Sequence, residues 1–157
     1  MPAMQVENGF PGLLGFNITG ASALTHEVNP PALPVAPNIP VLIQCEQDSH
    51  VHFTWTQSGG LIPFLNASML EWRLDVLFEK WGNAEWSPAI PAAQRVVAFS
   101  NNNPHTYNQL ITIPANSVPE GIYDIVAVLR LYNKFTGAPL PLAGFVELNK
   151  VQYYEAA

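Results

Sequence analysis

The sequence predicts an all-β protein whose core lies between two facing sheets. Apolar residues recur at every second position in most segments, which is the periodicity of half-buried strands. Clusters of Gly, Pro, Asn, Asp and Ser separate those segments in the manner of turns. The length of 157 residues is that of one domain, with enough chain to bury a core.

Most of the predicted strands follow residue 40. In the clearest of them, His50 to Gln57, the inward positions are Val51, Phe53 and Trp55. A long segment before the turn sequence NKFTGAP is rich in β-branched residues, which favour strands. The predicted strands lie at residues 41–46, 50–57, 71–80, 94–100, 107–114, 121–133 and 140–154, with a short one earlier at 13–19.

The segment SMLEWRLDVLFEKWG, at residues 68–82, fits two secondary structures. As a helix it would begin with a capping box, Ser68 and Glu71, and end at Gly82. As a strand it has one apolar face, made of Trp72, Leu74, Val76 and Phe78. No other segment is convincingly helical, and aromatic and β-branched residues suit a pleated sheet. We therefore predict a strand from about residue 71 to residue 80.

The sequence VPEGIYDIVAV, at residues 118–128, contains a short motif with a specific structural role. Glu120 or Pro119, then Gly121, then Tyr123 resemble the approach to strand F in sandwiches of the immunoglobulin and fibronectin type III kind. There the tyrosine hydroxyl bonds to upstream backbone and fixes the chain where it crosses between sheets. The resemblance implies a Greek-key, immunoglobulin-like β-sandwich of seven to nine strands and carries no activity. The alternative is that Tyr123 is simply one more aromatic on a strand.

The first forty residues predict an extended arm that precedes the sandwich domain at 41–157. Glycines interrupt the beginning of this arm, and residues 29–40 have the three-residue proline repeat of a polyproline II strap. The repeating prolines are Pro31, Pro34, Pro37 and Pro40. The strap is either a PxxP ligand for a partner's groove or an apolar segment that packs on this domain or a neighbour. Its lack of basic residues favours packing.

Charged residues are scarce, at 11% of the chain against about 25% in an ordinary soluble domain. The formal net charge is -6, and the six Lys and Arg residues are scattered along the sequence. Because the basic residues form no cluster that could bind phosphate groups, we do not expect nucleic-acid binding. A charge-poor surface is less protected against association, so we expect a homo-oligomer or another protein as partner.

No segment of the sequence predicts membrane insertion. No run approaches the 18 apolar residues of a membrane span, and the N-terminal sequence lacks the pattern of a signal peptide. The compartment is not predicted. Cys45 is the only cysteine, so no internal disulfide is expected.

Two histidines give the sequence a candidate metal site. His50 and His52 lie on one face of a predicted strand, a pairing that metal sites use. The alternative is a polar outward face, because Thr54 and Thr56 continue it.

The sequence contains no motif of nucleophilic catalysis or phosphate binding. A nucleophile elbow needs a glycine two residues before its serine, but Thr56 occupies that position before Ser58. No glycine-rich phosphate-binding loop is present. We therefore expect neither an enzyme nor a bound cofactor, with a metal-dependent enzyme as the least favoured reading.

A second candidate site consists of aromatic residues in predicted loops. Trp81, Trp86 and Tyr107, with Asn102 nearby, have the composition of a sugar-stacking platform with amide hydrogen bonds. The alternative is that the tryptophans are core or interface anchors. The sequence thus favours a non-catalytic structural or protein-interaction module that self-associates through its charge-poor surface and N-terminal arm. A carbohydrate- or small-ligand-binding module is the alternative.

Overall fold

The computed structural model describes residues 3–8, 15–26, 41–82, 85–86, 90–148 and 150–155. These residues form eleven β-strands in two sheets, with one α-helical turn, α1 (Ala92–Arg95), and two 3-10 turns. The all-β prediction with two sheets is confirmed. The strands are β1 (Gln5–Asn8), β2 (Asn17–His26), β3 (Val41–Gln44), β4 (Ser49–Ser58), β5 (Leu70–Lys80), β6 (Glu85–Trp86), β7 (Val96–Ala98), β8 (His105–Ile113), β9 (Gly121–Asn133), β10 (Pro139–Glu147) and β11 (Val151–Tyr154).

The number of strands exceeds the seven to nine expected from the sequence. The excess comes from the division of the predicted strand at 140–154 into β10 and β11, and from β1 and β6, which have four and two residues and lie at sheet edges. Strands this short show no clear alternation of apolar and polar residues, because two or three positions cannot establish a period.

The large sheet has eight strands and is built around β9, its longest strand. β5 pairs antiparallel with β9 from Leu70–Asn133 to Lys80–Tyr123. β10 and β11 share the other edge of β9. β1 extends the sheet beyond β10, β3 lies parallel to β11, and β6 and β7 pair with β5. The large sheet therefore has a continuous centre of long strands and margins of short ones.

The small sheet has three antiparallel strands in the order β2-β4-β8. The register of β2 against β4 shifts between Thr19 and Ser22. Gly20 lies in this irregularity with φ 61°, a left-handed conformation that glycine adopts without steric cost. The bulge lets β2 continue past its glycine to His26, seven residues beyond the predicted end of the strand.

The segment with two possible readings forms a strand, β5, as predicted. Trp72, Leu74, Val76 and Phe78 are all buried, while Leu77 is 49% exposed. Burial along β5 therefore follows the two-residue period of a pleated strand rather than the 3.6-residue period of a helix.

The core lies between the two sheets and contains stacked aromatic rings from both. Trp55 of β4 meets Trp72 of β5 edge-on, with ring centroids 5.7 Å apart, and Tyr107 of β8 stacks on Trp55 at 4.9 Å. At the other end of the core the hydroxyls of Ser49 and Tyr153 are hydrogen-bonded at 2.7 Å. These contacts join the faces of the two sheets along their length.

Tyr123 fixes the chain where it enters β9. Its side chain is fully buried, and its hydroxyl donates a hydrogen bond of 2.7 Å to the carbonyl oxygen of Pro119. The Lys80 side chain crosses Gly121, where a Cβ would lie 2.6 Å from the lysine Cε. The connection from β8 to β9 passes from the small sheet to the large sheet. The hydrogen bond between Tyr123 and Pro119 therefore fixes the chain where it crosses between the sheets.

Two predicted strands are interrupted. Residues 94–100 begin in α1 before β7, because Ala and Gln at residues 92–94 are better helix formers than strand formers. Residues 140–154 divide into β10 and β11, which pair with different parts of β9. Among the described residues no helix is long and apolar enough to span a membrane.

Two strands from the first forty residues pair within this chain. β1 pairs with β10 of the large sheet, and β2 pairs with β4 of the small sheet. Residues 27–40, which contain the four repeating prolines, lie outside the described residues. The division of the chain at residue 40 therefore stays a prediction.

Candidate interaction surface

The side of the large sheet that points away from the core carries a group of exposed or half-buried apolar side chains, with Asp75 beside Val128 and Glu147 beside Val126. In register across the strands, Leu77 lies beside Val126, and Val128 lies beside Phe145. Ile122 pairs with Gln152 of β11, and Gln152 pairs in turn with Leu42 of β3. We call the following side chains the apolar face: Leu42, Leu77, Ile122, Val126, Val128 and Phe145. Leu42 is 58% exposed and Phe145 is 38% exposed, so the apolar face is open to solvent.

The apolar face follows from the sequence of β9. Residues 125–129 are apolar without interruption. Ile125, Ala127 and Leu129 point into the core and are buried, while Val126 and Val128 point outward and are half-buried. An uninterrupted apolar run is typical of a strand that is covered on both faces. This surface was not predicted from the sequence, although this run and Leu77, an apolar residue at an outward position of β5, were the available signals.

A shallow groove crosses the apolar face. It has a volume of about 430 Å³ and lies between Val126 and Phe145, with Gln5 and Glu147 also in its lining. A larger open groove of about 570 Å³ lies between β1 and β10 and is lined by Glu7, Asn8 and Arg130 among others. Both are surface depressions of the large sheet.

Charged side chains lie at the two ends of the apolar face. Arg73 and Arg130 are directly opposite each other on β5 and β9, and we call this pair the basic end. Glu79 and Asp124 are likewise opposite each other on the same two strands, and we call this pair the acidic end. At 3.3 Å per residue the two ends are roughly 20 Å apart.

Local ion pairs neutralise only part of this charge. Arg73 bonds Glu71 at 2.7 Å, and its guanidinium lies 4.2 Å from the ring centroid of Tyr132. Lys150 lies 3.5 Å from Asp124. No ion pair joins Arg130 or Glu79 to another described residue, so these two side chains carry the unbalanced charge of the basic and acidic ends.

The predicted ligand-binding residue Trp81 lies beyond the C-terminal end of β5. Its indole is half exposed, and its Nε1 donates a hydrogen bond of 2.8 Å to Asp124. The Lys150 ammonium lies 4.3 Å from the indole centroid. One face of the indole is therefore covered by a cation, and its N–H group is already bonded.

The predicted residues Tyr107 and Asn102 belong to a network that holds the loop before β8. Gln57 is fully buried and donates from Nε2 to the carbonyl oxygens of Ser100 and Asn102, at 2.6 and 2.9 Å. The Tyr107 hydroxyl donates to Gln57 Oε1 at 2.8 Å and accepts from the Ser100 amide at 2.9 Å. Burial raises the pKa of Tyr107, so the phenol stays protonated as the network requires. The hydrogen-bonding groups of Tyr107 are thus used inside the fold.

The structure does not bring the candidate ligand-binding residues into one platform. Tyr107 contacts Trp72 near the beginning of β5, whereas Trp81 follows the last residue of β5. Trp81 follows Trp72 by nine residues, which corresponds to about 30 Å of strand. The Trp86 side chain lies outside the described part of the chain. Ligand binding at any one of these residues stays a prediction.

The candidate metal residues lie on the outward side of β4. The Nδ1 atom of His50 is 3.1 Å from the Thr112 hydroxyl, and the His50 side chain is buried. Burial lowers the pKa of His50, while Asp48 opposes this effect. Among the described residues no group of three His, Cys, Asp or Glu side chains is placed to hold a metal ion.

Comparisons with known proteins add no family to these observations. No protein-family model matches the chain, and no curated protein matches it by sequence.

Proposed function

We propose that this chain is a non-catalytic structural module of the immunoglobulin-like Greek-key type, which self-associates through the apolar face. The single observation that carries the proposal is the outward-facing apolar group at the centre of the large sheet, in which Leu77 and Phe145 are exposed and Val126 and Val128 are half-buried. Burying such a surface removes apolar area from water, which is the main driving force of association. A second copy of the chain offers the same apolar surface.

The strand order supports the Greek-key part of the proposal. In immunoglobulin-like domains one sheet contains strands A, B and E as neighbours, and the other contains C, F and G. β2, β4 and β8 follow the first order, and β5, β9 and β10 follow the second. The hydrogen bond from Tyr123 to Pro119 lies just before the strand that corresponds to F, which is the place of a tyrosine corner.

The size of the surface supports a second copy as the occupant. β5 and β9 pair over their register from residue 70 to residue 80, which is roughly 35 Å of strand, and four strands span about 19 Å. This side of the sheet, with its charged side chains included, is therefore roughly 700 Å², close to the 800 Å² or so that each partner contributes to a standard stable interface. The hydrogen bonds of β1 and β2 are made within the chain, so the proposal uses the sheet face and not the arm.

Sedimentation equilibrium tests the proposal. We expect the wild-type chain to dimerise, and Leu77→Glu to weaken the dimer by about tenfold or more, because a carboxylate would be buried among apolar groups. The matched control is Asn108→Glu, which adds the same charge at an exposed position of the small sheet. This variant should dimerise like the wild type.

Two results would contradict the proposal. A wild-type chain that stays monomeric from micromolar to millimolar concentration has no self-association to explain. Equal dimerisation of the wild type, Leu77→Glu and Asn108→Glu would place the contact elsewhere on the molecule.

A further inference from the structure

We infer that the two copies pack antiparallel, so that the basic end of each faces the acidic end of the other. This inference rests on the proposed function and adds the orientation of the partner. It follows from the register of β5 and β9, which fixes where each charged side chain lies on the surface.

The arrangement of the charges has a simple symmetry. Along β9 the outward residues Arg130 and Asp124 lie at equal distances from residue 127, and along β5 Arg73 and Glu79 lie at equal distances from residue 76. Residues 76 and 127 are themselves opposite each other, with their side chains buried in the core. A line across the two strands at this level therefore separates the two arginines from Glu79 and Asp124. Glu71 and Asp75 lie on the arginine side, where they are ion-paired with Arg73 and Arg95.

Two face-to-face arrangements keep the strands of the two copies aligned. If the two-fold axis ran along the strands, Arg130 would face Arg130 of the other copy, and Asp124 would face Asp124. If the axis ran across the strands at the level of residue 127, Arg130 would face Asp124 of the other copy. Like charges juxtaposed in an interface cost several kcal/mol, so the second arrangement is favoured.

The antiparallel arrangement also brings the outward valines of β9 together. Val126 of one copy would meet Val128 of the other, because they lie on either side of residue 127. Arg130 of one copy and Glu79 of the other, whose charges no described residue balances, would lie at the same level of the two facing sheets. Facing sheets pack about 10 Å apart, and the long side chains of Arg130 and Glu79 extend into that gap from either side.

Mixing two charge-reversed variants tests the orientation. Arg130→Glu would make two acidic ends face each other, and Glu79→Lys would make two basic ends face each other. Each variant alone should dimerise about tenfold or more weakly than the wild type. In an equal mixture of the two, one copy supplies only acidic charge and the other only basic charge at these positions. Association in the mixture should return to the wild-type level, and high salt should reduce this recovery.

The measurement is sedimentation with one variant carrying a fluorescent label at its N-terminal amine. Thermal melts of each variant verify folding, because both substitutions are at exposed positions. The control is an equal mixture of Asn108→Glu and Asn108→Lys, which places opposite charges on the small sheet and should associate no better than either variant alone.

The possible failures are distinguishable. If the wild type dimerises and Leu77→Glu prevents it, but the mixture associates as weakly as the single variants, the antiparallel orientation is wrong and the proposed function stands. If the wild type is monomeric, the proposed function is wrong and the orientation with it.

Discussion

Trp55 of the small sheet lies edge-on against Trp72 of the large sheet, with ring centroids 5.7 Å apart and ring planes at 66°. Both side chains are at most 1% exposed. The contact joins the two sheets at one end of the core, where Tyr107 stacks on Trp55 and also reaches Trp72. Edge-to-face pairs of this kind contribute about 0.5–1.5 kcal/mol beyond the area that they bury.

Trp72→Ala tests whether β5 alternates as described. Because Trp72 is fully buried, its removal leaves a large cavity, and we expect the free energy of unfolding to fall by about 3–5 kcal/mol. The matched control is Trp81→Ala, at a half-exposed indole, for which the loss should be no more than about 1 kcal/mol. Urea denaturation measures both values. Similar losses for the two variants would mean that Trp72 does not face the core.

Tyr123→Phe tests the hydrogen bond at the crossing between sheets. The substitution keeps the buried ring and removes the hydroxyl that donates to Pro119, so we expect a loss of about 1 kcal/mol. For a domain of this size that loss lowers Tm by about 2–4 °C. The control is Tyr154→Phe, whose side chain is 38% exposed. Equal melting temperatures for Tyr123→Phe and the wild type would contradict the role of the hydroxyl.

Gly59→Ala tests the close approach of two backbone segments. Gly59 has φ 133°, and a Cβ there would lie 2.2 Å from the carbonyl oxygen of Gly15. Since both partners are backbone, we expect a loss of about 3 kcal/mol from strain and displacement. Gly137→Ala is the matched control, because Gly137 also has positive φ but open space around it, and it should cost only about 1–2 kcal/mol. Thermal melts giving the opposite order would refute the contact.

The buried imidazole of His50 predicts how stability depends on pH. Burial lowers the pKa of His50 in the folded state below the usual 6.5 of the unfolded chain. Between these two values the unfolded chain binds the proton and the folded chain does not, so stability is complete above about pH 6.5 and declines as the pH falls. His50→Gln should reduce this decline relative to His52→Gln, which makes the same change on the same strand. Parallel declines of the two variants in thermal melts would rule out the contribution of His50.

The sequence predicted the elements whose alternation is long enough to be recognised. β4, β5 and β9 have ten to thirteen residues, and the inward positions in the middle of each strand are apolar. β1 could not be predicted, because its four residues gain their structure from pairing with β10, which lies far away in the chain. α1 was missed because a single helical turn leaves no periodic pattern.

The candidate site was harder to predict than the fold. Trp81 and Tyr107 were grouped by composition, but sequence does not show that they lie at opposite ends of β5. The charged ends of the apolar face were equally hidden, because they depend on the register between β5 and β9. Register is set by how the strands pack in the sheet, and the sequence of one strand alone does not determine it.

Methyl NMR spectra recorded during dilution are the decisive test of self-association through the apolar face, because they report both that the chain self-associates and where. We expect the methyl signals of Leu77, Val126 and Val128 to shift between micromolar and millimolar concentration. Signals of Val51 and Ile111, which are buried between the sheets, should stay unchanged. Spectra that do not depend on concentration, or shifts confined to residues of the small sheet, would contradict self-association through this face.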